Sequence, residues 1–333
     1  MFSEKRVEGA RLLLIGLGVT ALSALEALAE RFEVVGVVRE AMPDPDCRDE
    51  LVELASKLDL HVSRDAALSS VRKLIEDSRP DCVVISSYNR ILPPDLLGMS
   101  RFINVHYAPL PKYRGRANVN WAIINGEKVA GISIHRVSPG LDAGNILFQE
   151  TIPIGDTDTV ATLYERLNAI QRRALGGAVE RFLAGAEGEP QDESQATYCC
   201  ARLPEDGDIN WSDGTLAIDR LIRALAAPYP GAFTWFEGRR LTVWAATPVS
   251  GGPQFIGRVP GRIVAVSKSD GSVDVLTGDG ALRLFEVQRD GAAPAPAASV
   301  IKSVKATLGL RPADLLKRIE QLEALIGEKP DCP

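Results

Sequence analysis

Residues 11–16, RLLLIG, form a short apolar run that ends at a glycine, a pattern typical of a buried β-strand. The next stretch, residues 19–30 (VTALSALEALAE), has apolar side chains at helical spacing. Residues 33–38 (EVVGVV) then form a second, valine-rich strand. A strand, a helix and a strand in this order predict a parallel pair joined by a crossover helix.

The alternation continues along the chain. Further strands are predicted at residues 60–63, 82–86, 102–106, 131–137 and 146–150, with helices at residues 49–58, 65–78 and 159–183. Alternation at this pitch is typical of a parallel sheet covered by helices on both faces. We therefore expect the α/β class, with a Rossmann-like parallel sheet in a catalytic domain over residues 1–184.

The pattern changes after residue 184. A polar stretch that carries glycine and proline predicts a linker over residues 185–204. Farther on, short apolar runs are separated by Asp270-Gly271 and Asp279-Gly280, and Asp-Gly is a strong hairpin signal. These runs predict a small OB-like β-barrel domain over residues 205–311.

The last segment, residues 312–333, is predicted as an amphipathic helix (312–327) and a tail. Its apolar residues would share one face: Leu315, Leu316, Ile319, Leu322 and Ile326. Such a face is expected to be buried. Two alternatives stay open at this point, docking against the barrel and a contact in a homodimer.

Composition excludes several classes of protein. Of 333 residues, 45% are hydrophobic and 25% are charged, as in a globular enzyme and unlike a disordered or collagen-like chain. The net charge of −6 does not indicate a nucleic-acid binder. The first eight residues lack a signal-peptide pattern and no apolar run could cross a bilayer, so we expect a cytoplasmic protein without membrane contact.

Cysteine and histidine usage argues against disulfides and metals. The five cysteines show no C-x-x-C spacing, which favours free thiols in a reducing compartment. The three histidines lack the spacing of a zinc site, so no metal is expected.

A glycine motif follows the first strand. Gly16, Gly18 and Ala21 match G-x-G-x-x-A, and Glu40 lies about twenty residues farther on, as in a dinucleotide-binding fold. This keeps a nicotinamide-dependent oxidoreductase open as an alternative. The competing interpretation is a tight turn between strand and helix.

A second candidate site lies on the strand at residues 102–106. Asn104 and His106 are two residues apart, so their side chains project from one face of the strand. An amide donor can stabilise an oxyanion and an imidazole can move a proton, which is the chemistry of acyl transfer. Asp142, between Gly140 and Gly144, lies in a loop that can bring a carboxylate to that face.

These residues belong to longer motifs. N-V-H-x-x-x-L-P-K-Y-R-G begins at Asn104, W-A-x-x-N-G-E begins at Trp121, and G-L-D-A-G spans residues 140–144. Together they resemble the formyltransferase family that uses 10-formyltetrahydrofolate. Arg114-Gly115-Arg116 resembles most the members that formylate UDP-4-amino-4-deoxy-L-arabinose, and Asn118 stands where the family usually has proline.

The resemblance implies a formyltransferase domain followed by an OB-like domain, and transfer of formyl from 10-formyltetrahydrofolate to an amine. Asn104 would stabilise the oxyanion, His106 would carry the proton and Asp142 would orient His106. The residues implied to hold the folate are Tyr88, Asn89, Arg90, Arg116, Ser138, Pro139, Gly140, Leu141 and Asp142. No role is assigned to His135.

The molecule that accepts the formyl group is indicated only by less specific features of the sequence. Lys112 and Arg114 could bind a substrate phosphate or belong to a solvated loop. From Glu205 onward the chain has 15 basic and 16 acidic residues, whereas a tRNA-binding domain is expected to be basic. We therefore rank a nucleotide-linked amino sugar first, with no nucleic acid as partner, and methionyl-tRNA second.

Overall fold

The computed structural model describes residues 9–40, 49–310 and 312–327. The chain divides into two compact units. The first unit consists of Met1–Ala122, Glu127–Asp158 and Thr162–Ala201, and the second of Ile123–Gly126, Thr159–Ala161 and Arg202–Pro333.

The elements of the first half of the chain confirm the predicted alternation. Its strands are β1 (Arg11–Gly16), β2 (Glu33–Val38), β3 (Val62–Ser63), β4 (Cys82–Ser86), β5 (Arg101–His106), β6 (Arg114–Gly115), β7 (Val129–Arg136), β8 (Ile146–Pro153) and β9 (Tyr198–Cys199). Its helices are α1 (Gly18–Ala29), α2 (Glu50–Lys57), α3 (Leu68–Ser78), α4 (Pro94–Leu97), α5 (Asn118–Ile124) and α6 (Val160–Leu183).

Seven of these strands form one sheet in the order β3-β2-β1-β4-β5-β7-β8. The first five are parallel, whereas β7 pairs antiparallel with both β5 and β8. The Rossmann-like α/β class is confirmed, but the sheet is mixed. The nine residues between β7 and β8 are too few for the crossover that parallel strands require, so these strands turn back on each other.

Gly16 has a packing role. A Cβ at this position would lie 2.1 Å from the main-chain oxygen of Ser86 on β4. The next amide, that of Leu17, donates to the same oxygen at 3.2 Å. Only glycine allows this approach, as the tight-turn interpretation of the motif requires.

The second half contains α7 (Thr215–Ala224), β10 (Ala232–Phe236), β11 (Arg239–Pro248), β12 (Ile263–Val266), β13 (Val273–Leu276), β14 (Ala281–Arg289), β15 (Ala295–Pro296), α8 (Ala297–Val300) and α9 (Pro312–Gly327). The sheet order is β10-β11-β14-β13-β12, with β15 paired to β14. A small antiparallel β domain is confirmed, and both Asp-Gly pairs lie at hairpin turns. Among the described residues β10 and β12 are not paired with each other, so the sheet is open.

Helix α9 carries the predicted apolar face. That face is not covered: Leu315 is 44% exposed, Ile319 50% and Leu322 43%. The docking alternative, in which these side chains pack on the β domain, is therefore wrong for the side chains that the structure describes. The side chain of Ile326 lies outside that set.

Two further features bear on the predicted class of protein. Within residues 9–40, 49–310 and 312–327, no helix has the length and apolar character needed to cross a membrane. Cys82, Cys199 and Cys200 are free thiols, while Cys47 and Cys332 lie outside the described residues, as do the first eight residues.

Candidate active site

Asn104 and His106 lie at the carboxyl end of β5, in the middle of the mixed sheet. Open α/β sheets bind their ligands beyond this edge of the parallel strands. The alternation of the strand places both side chains on one face, as predicted, while Ile103 is fully buried on the other. His106 is itself 5% exposed, so its ring is held by its neighbours rather than by water.

The ring of His106 lies between two acceptors. Its Nε2 atom is 2.8 Å from the main-chain oxygen of Tyr113, and its Nδ1 atom is 3.6 Å from Oδ2 of Asp142. A carbonyl oxygen can only accept a hydrogen bond, so Nε2 carries a proton and donates a hydrogen bond to the Tyr113 oxygen. Nδ1, which faces the carboxylate, is the nitrogen that is not committed to the main chain.

Asp142 lies in the loop between β7 and β8, with φ of +48°. Its Oδ2 atom accepts from the amide of Gly115 at 2.8 Å, and its Oδ1 atom accepts from Nδ2 of Asn104 at 3.3 Å. The carboxylate is thus oriented from two sides toward His106. The loop also requires Gly144, because a Cβ there would lie 1.8 Å from the main-chain oxygen of Arg136.

His135 belongs to the same cluster, although no role was predicted for it. It lies opposite Asn104 in the antiparallel pairing of β5 and β7. Its Nδ1 atom is 2.8 Å from the main-chain oxygen of Arg136 and must donate there, so Nε2 accepts from Nδ2 of Asn104 at 3.1 Å. Burial lowers the pKa of His135, and the nearby His106 acts in the same direction, which keeps the ring neutral.

Asn118, the residue that stands where a proline was expected, lies beside the ring of His106. Its Nδ2 atom donates to the main-chain oxygens of Tyr113 at 2.6 Å and Gly115 at 3.2 Å. It is also 3.2 Å from Nε2 of His106, which donates to the same Tyr113 oxygen. Asn118 therefore fixes the carbonyl that orients His106.

The predicted linker contributes to the site. Its residues 189–200, named here the strap, run along the loops that carry Tyr113 and Asp142. The amide of Arg114 donates to Thr197 at 2.9 Å, and β9 pairs with β6. From the strap, Gln191 donates to the main-chain oxygens of Asp142 and Gly144, both at 2.7 Å. The strap thus links the two loops that hold His106.

The structure corrects the prediction that Arg114 binds a substrate phosphate. Its side chain is 1% exposed, and its five N–H groups donate to Gln191, Glu193 and Tyr198 at 2.6–3.2 Å. No donor remains for a ligand. In the sequence, charged residues beside a glycine suggested a solvated loop. The burial of Arg114 could not be predicted locally, because its partners lie 77 to 84 residues away.

The residues implied to hold the folate lie in loops beside this cluster. Tyr88, Asn89 and Arg90 follow β4, which neighbours β5, so they lie at the same edge of the sheet. Asn89 is exposed, Arg90 is 3.4 Å from Glu40, and the Tyr88 hydroxyl donates to the main-chain oxygen of Ala66. Residues 138–142 form the loop of Asp142, while Lys112 and Arg116 are exposed.

A metal centre finds no support in the part of the chain that the structure describes. Within these residues, no group of three or more His, Cys, Asp and Glu side chains could hold a metal ion. His106, His135 and Asp142 are engaged in hydrogen bonds and with one another instead.

The chain matches known proteins along most of its length. Residues 34–179 match the formyl transferase family, and residues 203–305 match the formyl transferase C-terminal domain. It is 36% identical to a methionyl-tRNA formyltransferase of Caldanaerobacter subterraneus subsp. tengcongensis over 220 residues, which are 65% of this chain and 69% of that protein. A methionyl-tRNA formyltransferase of Alkaliphilus oremlandii is 36% identical over 236 residues, 69% of this chain and 73% of that protein.

A solved structure shares the fold at lower identity. An N-formyltransferase from Helicobacter canadensis, in complex with folinic acid and dTDP-3-aminofucose, has a TM-score of 0.59 and 19% identity. The match covers 84% of this chain and 99% of that one. Because the sequence matches extend over both parts of the chain, this protein belongs to the formyl transferase family.

Proposed function

We propose that this protein transfers the formyl group of 10-formyltetrahydrofolate to the amino group of methionyl-tRNA. The observation that carries the transfer chemistry is the cluster of Asn104, His106 and Asp142 at the carboxyl edge of the sheet. It combines an amide donor, bonded to the carboxylate at 3.3 Å, with an imidazole whose Nδ1 lies 3.6 Å from that carboxylate. An amide donor and a proton carrier are what attack of an amine on a formyl carbon requires.

His106 is proposed to move the proton. As the amine nitrogen bonds to the formyl carbon it must lose a proton, and the folate nitrogen must gain one as its bond to that carbon breaks. Nδ1 of His106 is free of the main chain and can accept and then return this proton. Asp142, 3.6 Å away, stabilises the doubly protonated ring.

Asn104 is proposed to stabilise the oxyanion. Its two amide protons point to Nε2 of His135 and Oδ1 of Asp142 at 3.1 and 3.3 Å. The longer contact, to Asp142, is the one that we expect the oxyanion to replace. One such donor contributes about 2.7–4 kcal/mol to the transition state of acyl transfer.

The residues around the cluster suit a folate donor. Ile91 is 77% exposed and Leu141 48% exposed, on the loops that follow β4 and β7. They present apolar surface for the flat rings of a folate, and the exposed Arg90 and Arg116 are cations for its carboxylates. Together with Tyr88, Asn89 and residues 138–142, these are the proposed folate contacts.

The choice of acceptor differs from the ranking made on sequence alone. Relatives of 36% identity that are named methionyl-tRNA formyltransferases support tRNA, whereas the likeness to a sugar enzyme concerns the fold. Arg114, which had favoured a nucleotide sugar, is buried and fully bonded. The near-neutral charge beyond Glu205 is a sum over the domain and leaves room for a local basic contact.

An acceptor assay tests this proposal. The protein is incubated with 10-formyltetrahydrofolate and either methionyl initiator tRNA or a panel of UDP-, GDP- and dTDP-linked amino sugars, and tetrahydrofolate release is followed. We expect turnover with the tRNA that falls steeply as salt is raised. Turnover of an amino sugar without turnover of tRNA would restore the alternative acceptor, and no tetrahydrofolate release with any acceptor would overturn the formyl transfer itself.

We also propose that the reaction takes place in the cytoplasm. The free thiols of Cys82, Cys199 and Cys200 support this, because such cysteines persist in a reducing compartment. Fractionation of cells that make the protein tests it.

A further inference from the structure

Four apolar residues of α9 follow a heptad repeat, and Leu316 lies beside them at position e. Leu315, Ile319, Leu322 and Ile326 are separated by four, three and four residues, which is the spacing of successive d, a, d and a positions. Leucine at d and isoleucine at a is the combination that favours two parallel strands in a coiled coil.

The helix surface is available for such a partner. Every residue of α9 whose burial is described, Pro312 and residues 315–324, is exposed. This includes three of the four heptad residues, which are named here the seam: Leu315, Ile319 and Leu322 are each at least 43% exposed. A helix of this length gains most of its stability from packing of its apolar face, so we expect the seam to pack against a second helix.

The charged residues beside the seam indicate the identity and direction of the partner helix. With Ile319 at position a, Arg318 occupies g and Glu323 occupies the following e position. In a parallel pair of identical helices, position g of one chain faces the following e of the other, so Arg318 meets Glu323 twice. In an antiparallel pair, position g faces g and position e faces e, so Arg318 and Glu323 would not meet.

We propose that α9 pairs with α9 of a second copy of this chain as a parallel two-stranded coiled coil. The seam is formed by Leu315, Ile319, Leu322 and Ile326, and Arg318 pairs with Glu323 of the second copy. Two heptads make a short coil, so the dimer depends on protein concentration. The proposal is independent of the acceptor and of the formyl transfer reaction.

Sedimentation velocity of the full chain over a wide range of concentrations tests it. The wild-type protein should approach twice the 35.9 kDa chain mass as concentration rises. Arg318→Glu, which places two acidic residues opposite each other, should raise the dimer dissociation constant at least about tenfold. The double variant Arg318→Glu with Glu323→Arg should restore dimerisation, since the pair is re-formed in the opposite sense.

Lys317→Glu is the matched control. It makes the same change of charge one residue away, at position f, which faces outward in a coiled coil, so dimerisation should stay at the wild-type level. Circular dichroism reports that each variant is folded. A wild-type protein that is monomeric at every concentration, a dimer unaffected by Arg318→Glu, or a double variant that is not restored would each overturn the proposal.

Discussion

Gln191 donates from Nε2 to the main-chain oxygen of Asp142 at 2.7 Å, although 49 residues separate the two in sequence. The same nitrogen donates to Gly144, and Oε1 accepts from Arg114. One side chain of the strap thus ties the loop of Asp142 to the loop that orients His106. The strap therefore holds the carboxylate of the proposed site in place rather than serving as a passive connection.

We expect Gln191→Ala to lower kcat about 10-fold to 100-fold, because the Asp142 loop loses two hydrogen bonds and its carboxylate is placed less accurately. The KM for the acceptor should change little, since Gln191 donates to the loop and not to the substrate. Steady-state kinetics at saturating folate measure both. Gln195→Ala is the control: its Nε2 bonds only to the exposed Asp192 side chain among the partners described, and it should keep wild-type kcat.

Asn104→Ala and His106→Ala should each lower kcat by about 100-fold or more, because each removes a group that acts in the transition state. Circular dichroism should show wild-type folding for both. His61→Ala removes an exposed histidine and should have no effect on kcat. If either site variant keeps near-full kcat at saturating substrates, the role proposed for that residue is wrong.

Arg114→Lys should destabilise the protein by about 1–3 kcal/mol, since a lysine has three donors where the guanidinium uses five against Gln191, Glu193 and Tyr198. The KM for the acceptor should be unchanged. Urea unfolding and kinetics measure the two effects. The neighbouring Arg116→Lys, at an exposed site, should change the free energy of unfolding by less than about 0.5 kcal/mol. A rise in acceptor KM for Arg114→Lys without loss of stability would return Arg114 to substrate binding.

Local patterns predicted much of this molecule and failed where distant segments meet. The alternation of apolar runs and helical stretches predicted the α/β class, and the two-residue spacing of Asn104 and His106 predicted their common face. The antiparallel direction of β7 does not follow from its own residues, so the contact of His135 with Asn104 was missed. The same holds for Gln191, whose partners are more than 40 residues away.

The last prediction concerns His135 and pH. Its pKa is lowered in the folded state, mainly by burial, so below its ordinary value of 6.5 the unfolded chain binds a proton that the folded chain does not. The contribution of neutral His135 to stability is therefore fully present above pH 6.5 and is lost as pH falls below it. Between about pH 7.5 and pH 5.5 this amounts to about 1 kcal/mol for one such group.

His135→Gln has no titrating ring at this position, so its free energy of unfolding should fall less than that of the wild type over the same pH range. Urea unfolding at several pH values measures the difference. His61→Gln removes an exposed histidine instead, and its free energy of unfolding should fall as much as that of the wild type over this pH range. Equal pH dependence in the wild type and His135→Gln would mean that His135 is not held neutral by burial, and the orientation of the Asn104 amide would then need another acceptor.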